Sequence, residues 1–305
     1  MKYFHLFLAV ILGSAVSFAQ DSDLADEEEE QLLLLRTDSV YGQTGAIPLP
    51  SAHCTLNVPD GFIFLDPDGT KHLLVDYWGN PEDRAEGVLG SMVKSDVGIF
   101  DNVETAYIVS YDECGYVSDE DASDIDYSDL LEDMQKGLKE EYEANPDGQK
   151  WELLGWGWQP SYDNQKKVLA WSKHYRVDDD YEVINYDVRV LGKAGYVIIT
   201  AVASPDAKSG LIADNAAITN SVGYDAGYRY ADFDPDTDHV AEWTIGGLIA
   251  GKVLAKAGFW AVLAKFSKII LIAIIGFFAA IRKKIARWLG FGKNKNDSSG
   301  CLEAD

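Results

Sequence analysis

The carboxylates best placed for acid–base chemistry lie near aromatic residues in the middle of the chain. Asp112 and Glu113 are adjacent, and Asp163 follows Trp156 and Trp158 by a few residues. Two carboxyl groups facing each other across a cleft are what glycoside hydrolysis needs. These three residues are therefore weak catalytic candidates for an enzyme that cleaves envelope glycan. The competing interpretation is that the aromatic rings, with Trp156 and Trp158 on one face of a strand, fill the layer between a sheet and a helix, and we favour it.

An acidic stretch near the end of the predicted domain offers a second kind of chemistry. Its aspartates alternate along the chain, as ligands do in a calcium loop: Asp232, Asp234, Asp236 and Asp238. However, Thr237 stands where such a loop needs a glycine, and Trp243 stands where a bidentate glutamate should close it. We therefore expect a solvated acidic loop with weak calcium candidates, and we expect no cofactor and no metal.

Two further motifs are incomplete. Ser91 and Lys94 match the Ser-x-x-Lys pattern of penicillin-recognising acyl enzymes, but that serine must open a helix and this stretch has no helical apolar stripe. Of the three cysteines, Cys54 and Cys114 could pair in an exported protein, whereas Cys301 should stay reduced in a cytoplasmic tail.

The elements that must position these residues are one strong helix and a series of strands. Asp126 or Ser128 is suited to cap a helix whose apolar stripe includes Leu130, Met134 and Leu138. Four segments that alternate with turns then predict antiparallel strands: Trp151–Gln159, Val168–Arg176, Glu182–Leu191 and Tyr196–Ala203. A second helix near Gly210–Val222 can help to cover the sheet. The predicted fold class is α+β, an antiparallel β meander packed by one or two helices.

Both ends of the chain indicate a membrane. Residues 1–19 have the charge, apolar run and small residues of a secretory signal peptide, with an uncleaved anchor as the alternative. Near the C-terminus, the apolar stretch Val262–Ile281, charge-free from Ile269 onwards, precedes Arg282, Lys283 and Lys284. It has about the 20 residues that a spanning helix requires. An amphipathic helix lying in the membrane interface is the rival interpretation.

These segments predict the order of the chain. An acidic, largely disordered leader covers 20–50, an extracytoplasmic domain 51–245, a juxtamembrane segment 246–261, a transmembrane helix 262–281 and a basic cytoplasmic tail 282–305. Positive residues collect on the cytoplasmic side of membrane proteins, so we expect a single-pass protein of the inner membrane with its N-terminal domain outside.

The charge distribution narrows the list of partners. Residues 1–250 contain 16 Lys and Arg against 47 Asp and Glu, and residues 251–305 contain 10 against 3. An acidic exported domain repels phosphate backbones, so no nucleic acid is expected. The expected partners are the membrane, through the C-terminal helix, and an envelope protein or glycan.

Several motifs together are similar to the DUF2167 family. They are Gly115-Tyr116-Val117 with Asp119, Asp121 and Ala122; Gly155-Trp156 with Pro160, Tyr162 and Asp163; Asn185-Tyr186 with Arg189-Val190-Leu191-Gly192; and Gly227-Tyr228-Arg229-Tyr230 before Asp232-Phe233. The resemblance runs from about Ser51 to Arg287. It implies a bacterial, membrane-anchored protein of unassigned function, and it supplies no catalytic residues.

We therefore expect a membrane-anchored extracytoplasmic interaction or sensing module, and we favour a role that is not enzymatic. The first alternative is a hydrolase of cell-envelope glycan that uses the carboxylates beside an aromatic cleft. The second is a structural membrane-associated protein.

Overall fold

The computed structural model describes residues 42–95 and 105–251. Its strands are β1 (Gly42–Gln43), β2 (Ala46–Leu49), β3 (Cys54–Asn57), β4 (Phe62–Leu65), β5 (Val88–Lys94), β6 (Tyr107–Asp112), β7 (Tyr116–Ser118), β8 (Trp151–Asp163), β9 (Val168–Val177), β10 (Tyr181–Leu191), β11 (Tyr196–Ala203), β12 (Val222–Tyr224) and β13 (Val240–Thr244). Its helices are α1 (Pro67–Lys71), which a π-helical turn at His72–Tyr77 continues, α2 (Tyr127–Ala144), α3 (Lys208–Thr219) and α4 (Ile245–Ala250).

A large antiparallel sheet organises these elements, in the order β1-β4-β5-β6-β11-β10-β9-β8. Strands β8 to β11 follow one another as a meander, and the turns between them lie where the sequence pattern separated the four segments. Two small sheets accompany it, β12-β3-β2 and the parallel pair β13-β7. The predicted α+β class with an antiparallel meander is confirmed.

The large sheet buries both of its faces. One face, which we call face A, carries Ile184 and Tyr186 and packs against the sheet β12-β3-β2 and α3. The other, face B, carries Trp171 and Tyr175 and packs against α2 and α4. The second helix exists as predicted, but it lies on the face opposite α2 because Leu211 and Ile218 bury into the core of face A.

Helix α2 forms as its sequence pattern indicates. The Asp126 carboxylate accepts hydrogen bonds from the amides of Ser128 and Asp129, which satisfies two of the free N–H groups at the helix start. Met134 is the buried residue of its apolar stripe. Asn145 caps the C-terminus, and Pro146 follows, which disfavours continuation of the helix.

The folded part of the chain includes residues upstream of Ser51, where we drew the boundary of the leader. β1 pairs with β4, and β2 pairs with β3. Residues 42–49 are therefore part of the domain. Asp66 caps α1 and accepts a hydrogen bond from the Gly69 amide, whereas Thr70 is buried within the helix and bonds to Ser91.

The predicted signal peptide, the anchor Val262–Ile281, the basic residues Arg282, Lys283 and Lys284, and Cys301 lie outside the described residues. Within 42–95 and 105–251, no helix is long and apolar enough to cross a membrane.

Candidate functional site

The three predicted catalytic carboxylates are not assembled around one cleft. Asp112 lies at the end of β6 and accepts a 2.8 Å hydrogen bond from the Tyr196 hydroxyl, while Glu113 is exposed. Asp163 is exposed in the β8–β9 turn and accepts from the amides of Gln165 and Lys166. Since β6 and β8 are four strands apart, Asp112 and Asp163 are separated by about 19 Å along the sheet. Glycosidase carboxyl pairs lie roughly 5–9.5 Å apart.

The two tryptophans do not share a face, so the expectation that Trp156 and Trp158 lie together is wrong. Pairing between β8 and β9 shifts register between them, which indicates a β-bulge at Gly157. Trp156 therefore packs on face B and donates from Nε1 to the Tyr127 carbonyl at 3.1 Å. Trp158 packs on face A and stacks on Tyr186. Both rings join the core, as the favoured interpretation stated.

Three of the four calcium candidates, Asp232, Asp234 and Asp238, accept local hydrogen bonds, and Asp236 is exposed and donates its backbone amide to Asp234. Asp232 accepts from the amides of Gly227 and Arg229. Asp234 accepts from the Asp236 amide. Asp238 accepts from the Asp234 amide and contacts Lys193 Nζ at 3.2 Å. In the described part of the chain, no group of three or more metal-binding side chains is close enough to hold an ion.

The serine, lysine and cysteine candidates are also placed by the fold. Ser91 bonds to Thr70, whereas Lys94 pairs with Asp214, and the two side chains lie on opposite faces of β5. Cys54 and Cys114 are free thiols in the structure. Burial raises the pKa of each thiol to about 12, so both stay protonated and poorly nucleophilic.

A polar cluster at one end of the sheet brings together residues from three separate motifs. The Asp119 carboxylate accepts from the Tyr162 hydroxyl and Lys167 Nζ, both at 2.7 Å, and from the Tyr230 hydroxyl at 3.0 Å. Burial alone would raise the pKa of Asp119, but hydrogen bonds from Lys167, Tyr162 and Tyr230 together lower it. Tyr230 also donates to the Val117 carbonyl. The Asp119 cluster therefore ties β7, the β8–β9 turn and the segment before β13 to one another.

The same motif fixes the start of α4. Asp121 accepts hydrogen bonds from the amides of Ile245 at 3.1 Å and Gly246 at 3.0 Å. These are the free N–H groups at the helix start, where a carboxylate is also favoured by the helix dipole. Ile245, Leu248 and Ile249 are buried in the core of face B. A side chain more than a hundred residues upstream thus caps the last described helix of the chain.

The end of α4 is held by a buried lysine. Lys173 is 8% exposed, and its Nζ donates to the Ile249 carbonyl at 2.7 Å. Burial lowers the pKa of Lys173 to about 8, because removal from water disfavours the charged form. The neighbouring carboxylate of Asp187 partly offsets this, and Arg189 adds to it.

Asp187 is itself buried and already has several partners. It accepts from Asn185 Nδ2 at 2.6 Å and Thr200 Oγ1 at 3.0 Å, and it pairs with Arg189 Nη2 at 3.0 Å. The Arg189 guanidinium lies 5.1 Å from the centre of the Trp171 ring. We call Lys173, Asn185, Asp187, Arg189 and Thr200 the face B network. Its charged members are Lys173, Asp187 and Arg189, and Lys173 contacts α4 through the Ile249 carbonyl.

Our sequence reasoning missed this network, although a signal for it exists. Every second residue of β9 faces the apolar core of face B, namely Leu169, Trp171, Tyr175 and Val177. Lys173 occupies the middle of that series. A lysine at a core position of an alternating strand predicts a buried charge, and buried charges are usually paired or hydrogen-bonded. The same test identifies Asp187 on β10.

A shallow groove lies where α2 begins. It has a volume of about 420 Å³ and is lined by Tyr127, Ser128, Leu131, Glu132, Gln135, Trp156 and Gln159. Gln135 is engaged with the Leu153 carbonyl, whereas Glu132 and Gln159 are exposed. The groove is open and mostly polar, and its lining includes two half-buried aromatic residues, Tyr127 and Trp156.

Together, the fold and these contacts define an α+β sheet domain whose polar side chains hold helix α4 in place. The family described as "Protein of unknown function (DUF2167)" matches residues 41–279, so the chain belongs to the DUF2167 family. This confirms the resemblance drawn from the motifs.

Two solved structures show distant likeness. Cyanobacterial PsbP (CyanoP) from Synechocystis sp. PCC 6803 is 12% identical, with a TM-score of 0.34 over 61% of this chain and 93% of that one. The Saccharomyces cerevisiae Ran-binding protein Mog1p is 14% identical, with a TM-score of 0.28 over 58% of this chain and 84% of that one. No curated protein matches the chain. No functional conclusion follows from likeness at this level.

Proposed function

We propose that this protein is a membrane-anchored extracytoplasmic interaction or sensing module, with its domain outside the inner membrane and its tail in the cytoplasm. One observation carries the proposal: α4 is held at its start by Asp121 and at its end by Lys173. Residues 251–261 then join α4 to the predicted anchor Val262–Ile281. The domain thus holds α4, the last described helix before the predicted anchor in the sequence.

This attachment suits a protein that reports on binding. If the domain ended in a flexible linker, a change in its conformation would have no effect on the anchor. Here the last described helix is buried in the core of face B and hydrogen-bonded at both ends. A change in the packing of the sheet would therefore alter the position of α4, and such a difference between two states of the domain is what a switch requires.

The proposed partner is an envelope protein or glycan. The groove beside Trp156 is where we place the contact, because it combines an aromatic ring with exposed polar groups at Glu132 and Gln159. The geometry does not support a hydrolase that pairs Asp163 with Asp112 or Glu113, since Asp163 ends β8 and Asp112 ends β6, four strands away.

The test is site-specific photo-crosslinking in intact cells. A photoreactive residue at Gln159, in the groove, should capture a discrete envelope partner. The matched position is Glu143, an exposed residue near the other end of α2 that pairs with Lys139. Capture from Gln159 alone supports the binding module. Equal capture from both positions, or none from either, would contradict the placement of the contact.

A further inference from the structure

The buried lysine under α4 is costly unless it serves a purpose. Lys173 has one hydrogen bond to a neutral carbonyl, and the carboxylate that faces it, Asp187, is already engaged by Arg189, Asn185 and Thr200. Removal of an ionised group from water is costly unless the group is paired and hydrogen-bonded, and among the described residues Lys173 has no carboxylate within salt-bridge distance. Polar groups that break the packing rules are expected at functional or switching positions.

Two buried polar atoms in or beside the face B network have no hydrogen-bond partner in the described part of the chain. Within the described residues, Trp171 Nε1 and Asn185 Oδ1 are buried without a hydrogen-bond partner. Asn185 lies directly opposite Lys173 across the β9–β10 pair, and Trp171 is two residues before it. Buried polar groups without partners favour any state in which water reaches them. Trp171 packs in the same cluster as Ile245, Leu248 and Ile249 of α4, so the docked helix lies against a buried N–H group that has no acceptor.

The groups that face Lys173 are few. Strand β10 contributes Asp187 and Arg189, and the cross-strand neighbour on β8 is Trp156. Helix α4 has no titratable side chain, since its sequence is IGGLIA. Because α4 covers Lys173 and contributes only a carbonyl, undocking of α4 is the movement that returns the ammonium group to water.

We propose that Lys173 is a proton-sensitive latch, so that protonation of its amine favours release of α4 from face B. The inference rests on the proposed function for its biological meaning, and it names protons as one input that the module senses. The latch itself is a property of the described domain.

The direction follows from linkage. The pKa of Lys173 is about 8 with α4 docked, against 10.5 for a solvated lysine. The docked state therefore binds the proton more weakly, and acidification shifts the equilibrium towards the undocked state. Between pH 9 and pH 7, the docking equilibrium should fall about tenfold.

The experiment is hydrogen–deuterium exchange of the full-length protein in detergent, read from the peptide that ends at Gly251. The Gly251 amide donates to the Gly247 carbonyl and is protected from exchange only while α4 is folded. Protection factors, corrected for the pH dependence of intrinsic exchange, should fall about tenfold from pH 9 to pH 7 in the wild type. Lys173→Met should abolish this pH dependence, and Lys136→Met, which alters an exposed lysine on α2, should retain it.

A flat wild-type profile would overturn the latch, and so would a Lys173→Met profile that still varies with pH. Should Lys173→Met fail to fold, Lys173→Arg replaces it: its charge does not titrate in this range, so its profile must be flat. A wrong membrane orientation would defeat the proposed function and leave these profiles unchanged. A flat profile in a protein of proven topology would defeat the latch alone.

Discussion

The Asp119 carboxylate accepts a 3.0 Å hydrogen bond from the Tyr230 hydroxyl, although 111 residues separate the two in the chain. The contact joins the loop after β7 to the turn that leads to β13, and Tyr162 and Lys167 complete it from the β8–β9 hairpin. The family motifs therefore meet as a structural tie, because each partner in the Asp119 cluster is satisfied by another. The segment that carries α4 begins at this tie.

The Asp119 cluster should give the domain a specific sensitivity to acid. The folded pKa of Asp119 lies below the ordinary value of 3.8. Its contribution to stability is therefore present above that value and is lost as the pH falls through the folded pKa. Asp119→Asn should lower the free energy of unfolding by about 1.5–3 kcal/mol at pH 7. It should also flatten the loss of stability in acid, as measured by urea denaturation between pH 7 and pH 2.

The control is Asp124→Asn, which changes an exposed aspartate of the same loop. The Asp124 carboxylate accepts a hydrogen bond from the neighbouring Ser123 hydroxyl. This variant should keep the wild-type profile. Parallel acid profiles for wild type and Asp119→Asn would show that the Asp119 cluster does not contribute.

The cap on α4 should act locally. Asp121→Ala removes the acceptor for the amides of Ile245 and Gly246, and loss of such a cap costs about 1 kcal/mol. Amide exchange should accelerate in 245–251, with little change in the strands of the meander. Asp124→Ala, on the same loop, should alter stability by no more than about 0.5 kcal/mol. Uniform acceleration over the whole domain would mean that Asp121 supports the fold in general and not α4.

The carboxylate candidates should be dispensable for function. Asp112→Asn, Glu113→Gln and Asp163→Asn should each leave the fold intact on circular dichroism, and each should complement a deletion strain. Removal of a general acid or base lowers the rate about 100-fold or more in an enzyme. One folded variant that is wholly inactive, beside two that are active, would favour the hydrolase alternative.

Much of the fold followed from local rules. Turn residues between four segments located β8 to β11, and the stripe with Asp126 located α2, because each pattern is decided by residues close in sequence. The face of Trp158 did not follow, because a bulge at Gly157 shifts the register and is set by tertiary pairing. The parallel pair β7–β13 was missed for a similar reason, since it joins segments more than a hundred residues apart.

The candidate site was less predictable. The motif residues Asp119 and Asp121 were noted, yet their partners Tyr230 and Ile245 became evident only in three dimensions. Lys173 had a detectable signal in the alternation of β9. Its partner, the Ile249 carbonyl, had none, because any residue supplies a carbonyl.

The most direct test of the account is the side of the membrane on which each end of the protein lies. In intact cells that carry Cys114→Ser, a membrane-impermeant thiol reagent should fail to label Cys301 and should label it once the cells are opened. Asp236→Cys, at an exposed position of the domain, should be labelled in intact cells and serves as the control. The account predicts this opposite pair of results. Labelling of Cys301 in intact cells, with Asp236→Cys protected, would contradict it.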